Sequence, residues 1–134
     1  MENQILETTK TPIVLTTGIY DLLKLQIKKK KLNKSNEDRL EKELKNAKQV
    51  LNRDLPYNIV TVNIEVLVKD LNTGEEITQK FVAPHRARRK HGTTSILSEI
   101  GVATLGYEEN AIIQWDLPEG IKSLQILKVT RIAG

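Results

Sequence analysis

Few side chains in this chain have the types and spacing that a catalytic or metal-binding site would need. There is no cysteine, which excludes thiolate nucleophiles, disulfides and cysteine-containing zinc sites. The two histidines, His85 and His91, lie six positions apart in a segment with four cationic residues. Neighbouring positive charge disfavours both a metal site and a charged imidazole pair there. We therefore expect His85 and His91 to be solvated loop residues.

The adjacent carboxylates Glu37 and Asp38 are the next candidates, because carboxylate oxygens are the hard ligands that Mg²⁺ prefers. Both fall at the start of a predicted helix, where negative charge stabilises the helix N-terminus, and we expect them to have that role instead. No glycine-rich phosphate loop and no Gly-x-Ser-x-Gly elbow is present. The sequence thus predicts no catalytic residue, no metal site and no cofactor, and favours a binding protein over an enzyme.

Positive charge is concentrated in two short segments, although the net charge of the whole chain is only +4. From Lys24 to Lys48 there are ten basic and four acidic residues. Such an uneven distribution of charge steers a protein toward a polyanion or an acidic protein surface. The alternative is that the cations only solvate an exposed helix and loop. The candidate binding residues are those of a basic hairpin tip and a basic loop: Lys28, Lys29, Lys30, Lys31 and Lys34, and Arg86, Arg88, Arg89 and Lys90.

The length of 134 residues and the 39% hydrophobic content suit one or two small units with modest cores. No apolar run approaches the ~20 residues that span a bilayer, and the start of the chain lacks the pattern of a signal peptide. We expect a cytoplasmic protein with no membrane partner.

The N-terminal part has the periodicity of two helices. An apolar stub, Ile13 to Leu15, precedes Thr16-Thr17-Gly18, which can cap a helix that starts near Ile19 and has Asp21 in its first turn. Ser35 with Asp38 resembles a capping box for a second helix. The apolar positions are Ile19, Leu22, Leu23 and Ile27 in the first helix, and a heptad seam of Leu40, Leu44, Ala47 and Leu51 in the second. The short link predicts an antiparallel hairpin about 20 to 25 Å long at ~1.5 Å per residue.

Beyond Pro56 the pattern changes to strands. The alternation from Val60 to Val68 predicts a strand, Asp70 to Gly74 a turn, and Glu75 to Ala83 the returning strand. A loop, a helix ended by Gly106 and two further strands follow, the strands separated by a turn with Pro118 and Gly120. These last elements are the loop Pro84 to Thr94, the helix Ile96 to Leu105, and the strands Ala111 to Trp115 and Leu124 to Arg131. The prediction is an α+β protein in which a helical hairpin (residues 1–55) precedes a β-β-α-β-β domain (residues 56–134).

The second part also carries recognisable residues. The segments Ser95 to Gly106, Ile112 to Gly120 and Leu124 to Val129 together resemble the C-terminal domain of Gre-type transcription factors. Upstream, Asp54-Leu-Pro-Tyr-Asn-Ile-Val-Thr-Val-Asn63 and Asp70-Leu-Asn-Thr-Gly-Glu75 look closer still to a short-hairpin member of that family. The resemblance implies an FKBP-like C-terminal domain, an N-terminal antiparallel coiled coil, and binding of bacterial RNA polymerase at the mouth of its secondary channel.

The resemblance also indicates which residues would face the polymerase. Ser98, Glu99, Ile100 and Gly101 match the family's polymerase-facing segment, although Glu99 stands where the family usually has proline and Val102 where many members have arginine. In cleavage-active members, acidic residues at the tip of a much longer coiled coil help to hold a catalytic Mg²⁺. Here lysines surround the tip, so the resemblance implies a polymerase-binding regulator that does not stimulate transcript cleavage. The alternative is a protein that binds RNA or DNA phosphates through its two basic segments.

Overall fold

The computed structural model describes residues 12–117 and 120–132, and it shows a mixed α+β protein. Residues 1–11, the centre of the predicted turn around Pro118, and residues 133–134 lie outside the described part. The elements in chain order are β1 (Val14–Thr16), α1 (Thr17–Lys28), α2 (Lys34–Asn46), β2 (Lys48–Val50), β3 (Ile64–Asp70), β4 (Glu76–Val82), β5 (Thr93–Ser95), α3 (Glu99–Thr104), β6 (Ile112–Leu117) and β7 (Gly120–Arg131).

Helix α1 confirms the predicted apolar stripe. The hydroxyl of Thr16 accepts a hydrogen bond from the amide of Ile19 at 3.5 Å and caps the helix, which begins two residues earlier than predicted. Asp21 therefore lies beyond the first turn, and its predicted place in that turn was wrong. Ile19 and Leu23 are buried, with Leu22 and Ile27 packed beside them at the edge of the core.

Helix α2 differs from the prediction at both ends. Its cap is Asn33, whose side-chain oxygen accepts from the amide of Asn36 at 2.8 Å, and not Ser35. The helix ends at Asn46 because Ala47 adopts an extended conformation. The heptad seam therefore includes only Leu40 and Leu44, and Leu51 is 57% exposed outside the helix. With 12 and 13 residues, α1 and α2 are about 18 to 20 Å long.

Two short strands at the base of the hairpin were not predicted. The apolar stub forms β1, which pairs in parallel with β2 through Val14 and Lys48. The amide of Val14 also donates to the carbonyl of Gly106 at 3.0 Å. These bonds join the hairpin to the rest of the molecule.

Strands β3 and β4 confirm the predicted β-hairpin and its turn. The amide of Gly74 donates to the carbonyl of Asp70 at 2.7 Å, and Gly74 has the positive φ that this turn needs. Strand β3 begins at Ile64, later than predicted, because Asn63 has a φ of 60° and interrupts the extended backbone. The first predicted strand was therefore four residues too long at its start.

Part of the predicted loop from Pro84 to Thr94 is a strand. Residues 93–95 form β5, which pairs in parallel with β4. The sheet has the order β5-β4-β3-β7-β6, so the second part of the chain is β-β-β-α-β-β and the predicted β-β-α-β-β order lacked one strand. The predicted helix is confined to Glu99–Thr104, and Gly106 follows it with a φ of 88°, as expected of a stop.

A single hydrophobic cluster joins the two parts of the molecule. It contains Leu23 and Leu40 from the hairpin together with Val66, Phe81 and Ile126 from the sheet. No helix in residues 12–117 or 120–132 is long and apolar enough to cross a membrane.

Candidate functional site

The basic hairpin tip lies where α1 ends. The amides of Lys30 and Lys31 donate back to the carbonyls of Ile27 and Gln26, a Schellman motif in which Lys30 takes the left-handed conformation usual for glycine. All the lysines named for the tip are exposed. Among the described residues, Lys28, Lys29 and Lys31 have no ion pair. The tip therefore presents uncompensated positive charge to solvent.

The tip also contains three carboxylates. One oxygen each from Glu37, Asp38 and Glu41 lies within 4.8 Å of the others, a grouping that could hold a cation. Two of the three have lysine partners: Lys30 contacts Glu37 at 3.3 Å, and Lys34 contacts Asp38 at 3.2 Å. Asp38 raises the pKa of Lys34 by hydrogen bonding and by its charge. Lysine ammonium groups thus already balance much of the charge that would attract a metal ion.

Side-chain amides connect the tip to the sheet. Asn36 accepts from the amide of Asp116 at 3.0 Å and donates to the carbonyl of the same residue at 2.7 Å. Asn33 donates to that carbonyl at 3.2 Å. No local sequence pattern predicts this contact, although an asparagine just before a helix is a common cap and could have indicated Asn33.

A groove of about 370 Å³ lies between α3 and the adjacent face of the sheet. Its apolar lining includes Ile77, Ala103 and Leu124, and three residues of the predicted polymerase-facing segment, Ser98, Glu99 and Ile100, lie along it. Ser98 caps α3 by accepting from the amide of Gly101 at 3.2 Å, and Glu99 is exposed. Gly101 is buried, so only the first three residues of the segment offer atoms to a partner.

Charged and polar groups lie at one end of this groove. Asp70 is buried, contacts Lys122 at 3.6 Å and accepts from the amide of Asn72 at 2.8 Å. Trp115 was predicted to be a core residue and is 3% exposed. Its indole N–H has no hydrogen-bond partner among the described residues. Trp115 also lines a small cleft beside Asn36, so the same residue borders the α2 contact and the groove.

The basic loop lies between β4 and β5. Arg86, Arg88, Arg89 and Lys90 are all exposed, as are His85 and His91. Arg88 has a structural role as well, because its guanidinium donates to the carbonyls of His85 and Ala87 and its amide donates to Thr93. The loop therefore presents Arg86, Arg89 and Lys90 as its less constrained cations.

A further polar contact joins α2 to the domain. The hydroxyl of Tyr107, which is buried, donates to the carboxylate of Glu43. Burial raises the pKa of Glu43, although the Tyr107 hydrogen bond opposes that shift. Burial, followed by the charge and hydrogen bond of Glu43, raises the pKa of Tyr107 well above its ordinary range. This pair and the Asn36 contact hold α2 at two positions.

Comparison with known proteins gives a consistent family. The family model described as "Transcription elongation factor, GreA/GreB, C-term" matches residues 55–131. The transcription elongation factor GreA of Syntrophobacter fumaroxidans is 34% identical over 64 residues, 48% of this chain and 41% of that protein. The regulator of nucleoside diphosphate kinase of Escherichia coli K12 is 29% identical over 93 residues, 69% of this chain and 68% of that protein.

A solved structure agrees with these matches. The structure titled "Prokaryotic transcription elongation factor GreA/GreB from Nitrosomonas europaea" superposes with a TM-score of 0.62 at 28% identity, covering 90% of this chain and 99% of that one. The match to the Syntrophobacter GreA spans only about two fifths of that protein's length. The GreA/GreB relatives of this chain are transcription factors rather than enzymes. Because the family model matches more than half of the sequence, this chain belongs to the GreA/GreB family of transcription elongation factors.

Proposed function

We propose that this protein is a regulator of transcription elongation that binds bacterial RNA polymerase at the mouth of its secondary channel. The family match over residues 55–131 carries the proposal, because it includes the whole segment from Ser98 to Gly101. The proposed contact is the groove beside Ser98, Glu99 and Ile100. Its apolar lining supports this role, since apolar area with a polar rim is typical of a protein-binding surface.

The same proposal includes three finer points. The protein has no catalytic activity of its own, it works in the cytoplasm, and residues 56–134 form an FKBP-like domain on which the hairpin packs. The five-stranded order β5-β4-β3-β7-β6 with α3 over one face supports the domain assignment.

We further propose that the protein does not stimulate transcript cleavage. Lysines pair with Glu37 and Asp38, and helices of 12 and 13 residues at ~1.5 Å per residue make a short reach. Added to a backtracked elongation complex, the protein should leave the rate of RNA cleavage unchanged. Accelerated cleavage would contradict this part of the proposal, and a cleavage factor such as GreA provides the positive control.

A second candidate function is direct binding of RNA or DNA. The exposure of the tip lysines and of the basic loop favours it, because exposed cations neutralise phosphates without any specific pocket. Stacking aromatic residues would be expected beside the cations if single strands were bound. The described residues of the tip include no such aromatic. Tyr20 lies earlier in α1, where its ring centroid is 5.7 Å from the ammonium group of Lys24.

A pull-down from bacterial lysate at moderate salt separates the two functions. Recovery of RNA polymerase that persists after nuclease treatment would support the first. Loss of all polymerase after nuclease, with nucleic acid recovered before it, would support the second. Affinity for nucleic acid should also fall steeply with added salt, because each neutralised phosphate releases counterions.

A further inference from the structure

Side-chain amides in α2 pair with the backbone of the edge strand β6. Asn36 is 4% exposed and forms two hydrogen bonds with Asp116, one to its N–H at 3.0 Å and one to its C=O at 2.7 Å. Asn33 adds a bond to the same carbonyl at 3.2 Å. Because β6 pairs with β7 on one side only, Asn36 supplies at Asp116 the donor and acceptor that a neighbouring strand would supply.

Such a contact fixes position as well as adding stability. Apolar side chains such as Leu40 and Leu44 can pack in several arrangements, whereas paired amide bonds need one distance and one orientation. If the hairpin moved, the buried polar groups of Asn36 would lose their partners. The contact therefore selects one placement of α2 against the sheet.

The placement holds the first turn of α2, and the lysine tip before it, at the edge strand β6. Asn33 lies between Lys31 and Lys34 in the chain, and its amide reaches β6. Trp115, next to Asp116, lines both the cleft beside Asn36 and the groove beside Ser98. The α2 contact that fixes the tip and the apolar groove thus both border the side chain of Trp115.

We propose that Asn33 and Asn36 are positioning residues that hold the lysine tip at the edge of β6, and that the tip and the groove bordered by Trp115 of that strand form one docking surface. This inference rests on the proposed function, and it adds the chemistry of the polymerase segment that is bound. An apolar side chain of that segment would enter the groove, and acidic side chains would face Lys28, Lys29 and Lys31, which have no ion pair among the described residues.

The position of the tip can be measured in the free protein. The chain has no cysteine, so spin labels at Lys29→Cys and Lys128→Cys would report one distance by double electron–electron resonance. We expect a single narrow distance distribution in the parent and a broad one in Asn36→Ala. Asn46→Ala is the matched control, because the Asn46 amide donates within α2, to the carbonyl of Lys42 at 3.1 Å, and has no other partner in the described part of the chain. Its distance distribution should stay narrow.

A second variant keeps the test decisive if Asn36→Ala does not fold. Asn33→Ser retains a capping oxygen but loses the amide that donates to Asp116, and we expect it to broaden the distribution partly. A narrow, unchanged distribution in folded Asn36→Ala, or in Asn33→Ser where the first is unfolded, would overturn the inference.

Affinity for purified polymerase then tests whether Asn36 acts by positioning the tip lysines. Asn36→Ala and the triple variant Lys28→Gln, Lys29→Gln, Lys31→Gln should each weaken binding on the order of tenfold. Their combination should weaken it little further. Fully additive losses would overturn the claim that Asn36 acts through the lysines. If the parent bound no polymerase while Asn36→Ala broadened the distance distribution, the proposed function and the docking surface would fall, and only the positioning contact would stand.

Discussion

At the scale of single residues, Gly101 shows how little space a side chain would have under α3. A Cβ atom added there would lie 2.3 Å from the carbonyl oxygen of Ile96. We expect Gly101→Ala to lower the free energy of unfolding by about 1 to 3 kcal/mol, because backbone atoms would have to move. Gly18→Ala is the matched control: nothing lies within 4 Å of its Cβ position in α1, and alanine favours helix, so stability should rise by up to about 1 kcal/mol.

Chemical denaturation of both variants measures this difference. Equal stability of Gly101→Ala and the parent would contradict the close packing of α3 against Ile96. The helix stop at Gly106 followed from the sequence, because a glycine directly after a helical stretch is the usual way to end it. Asn36 did not, since its partner Asp116 is 80 positions away and nothing local indicates the contact.

At the scale of elements, the cap of α2 decides where that helix begins. Asn33→Ala should lower the free energy of unfolding by about 1 kcal/mol, because the amide of Asn36 loses its acceptor. Ser35→Ala should change it by less than about 0.5 kcal/mol, since Ser35 is exposed and lies within the helix. Thermal melts compare the two, and a larger loss in Ser35→Ala would contradict the observed cap.

The contact between Glu43 and Tyr107 should make stability depend on pH. Burial raises the pKa of Glu43 in the folded protein, so the folded state holds its proton more tightly than the unfolded state does. This contribution is fully present below the ordinary glutamate pKa and is lost as pH rises through the raised value. We expect Glu43→Gln to remove that loss and to be at least as stable as the parent at neutral pH, since glutamine can still accept from Tyr107.

Unfolding free energies of parent and Glu43→Gln, measured from acid to neutral pH, test this expectation. Parallel pH profiles for the two proteins would show that Glu43 does not titrate with folding. Glu41→Gln is a useful control, because Glu41 is an exposed carboxylate on the same helix.

The seven-residue strands were predictable from the sequence, and the three-residue strands were not. The β-hairpin of β3 and β4 has seven-residue strands, enough for alternation to be visible, and its turn has a clear glycine signal. Strands β1, β2 and β5 have three residues each and carry no period of their own. These strands form because tertiary packing brings a parallel partner beside them. In β1, Val14 pairs with Lys48, which is 34 positions away.

At the scale of the whole molecule, the helical hairpin contacts the β-rich part at its tip as well as at its base. The tip contacts β6 through Asn33 and Asn36, and the base contacts Gly106 through β1. The sequence predicted two units from composition and periodicity, and the shared core of Leu23, Leu40 and Val66 depends on tertiary packing that no local pattern shows. The division at residues 55 and 56 stays a prediction.

The most direct test of the proposed function is a titration of labelled protein with purified, nucleic-acid-free core RNA polymerase, followed by fluorescence anisotropy. We expect saturable binding that Ile77→Glu weakens at least about tenfold, because Ile77 is 41% exposed in the groove and a charge there would be desolvated. Thr78→Glu should bind like the parent, since Thr78 is exposed and adjacent strand positions point to opposite faces. Absence of saturable binding, or equal weakening by both substitutions, would contradict a polymerase-binding role for this groove.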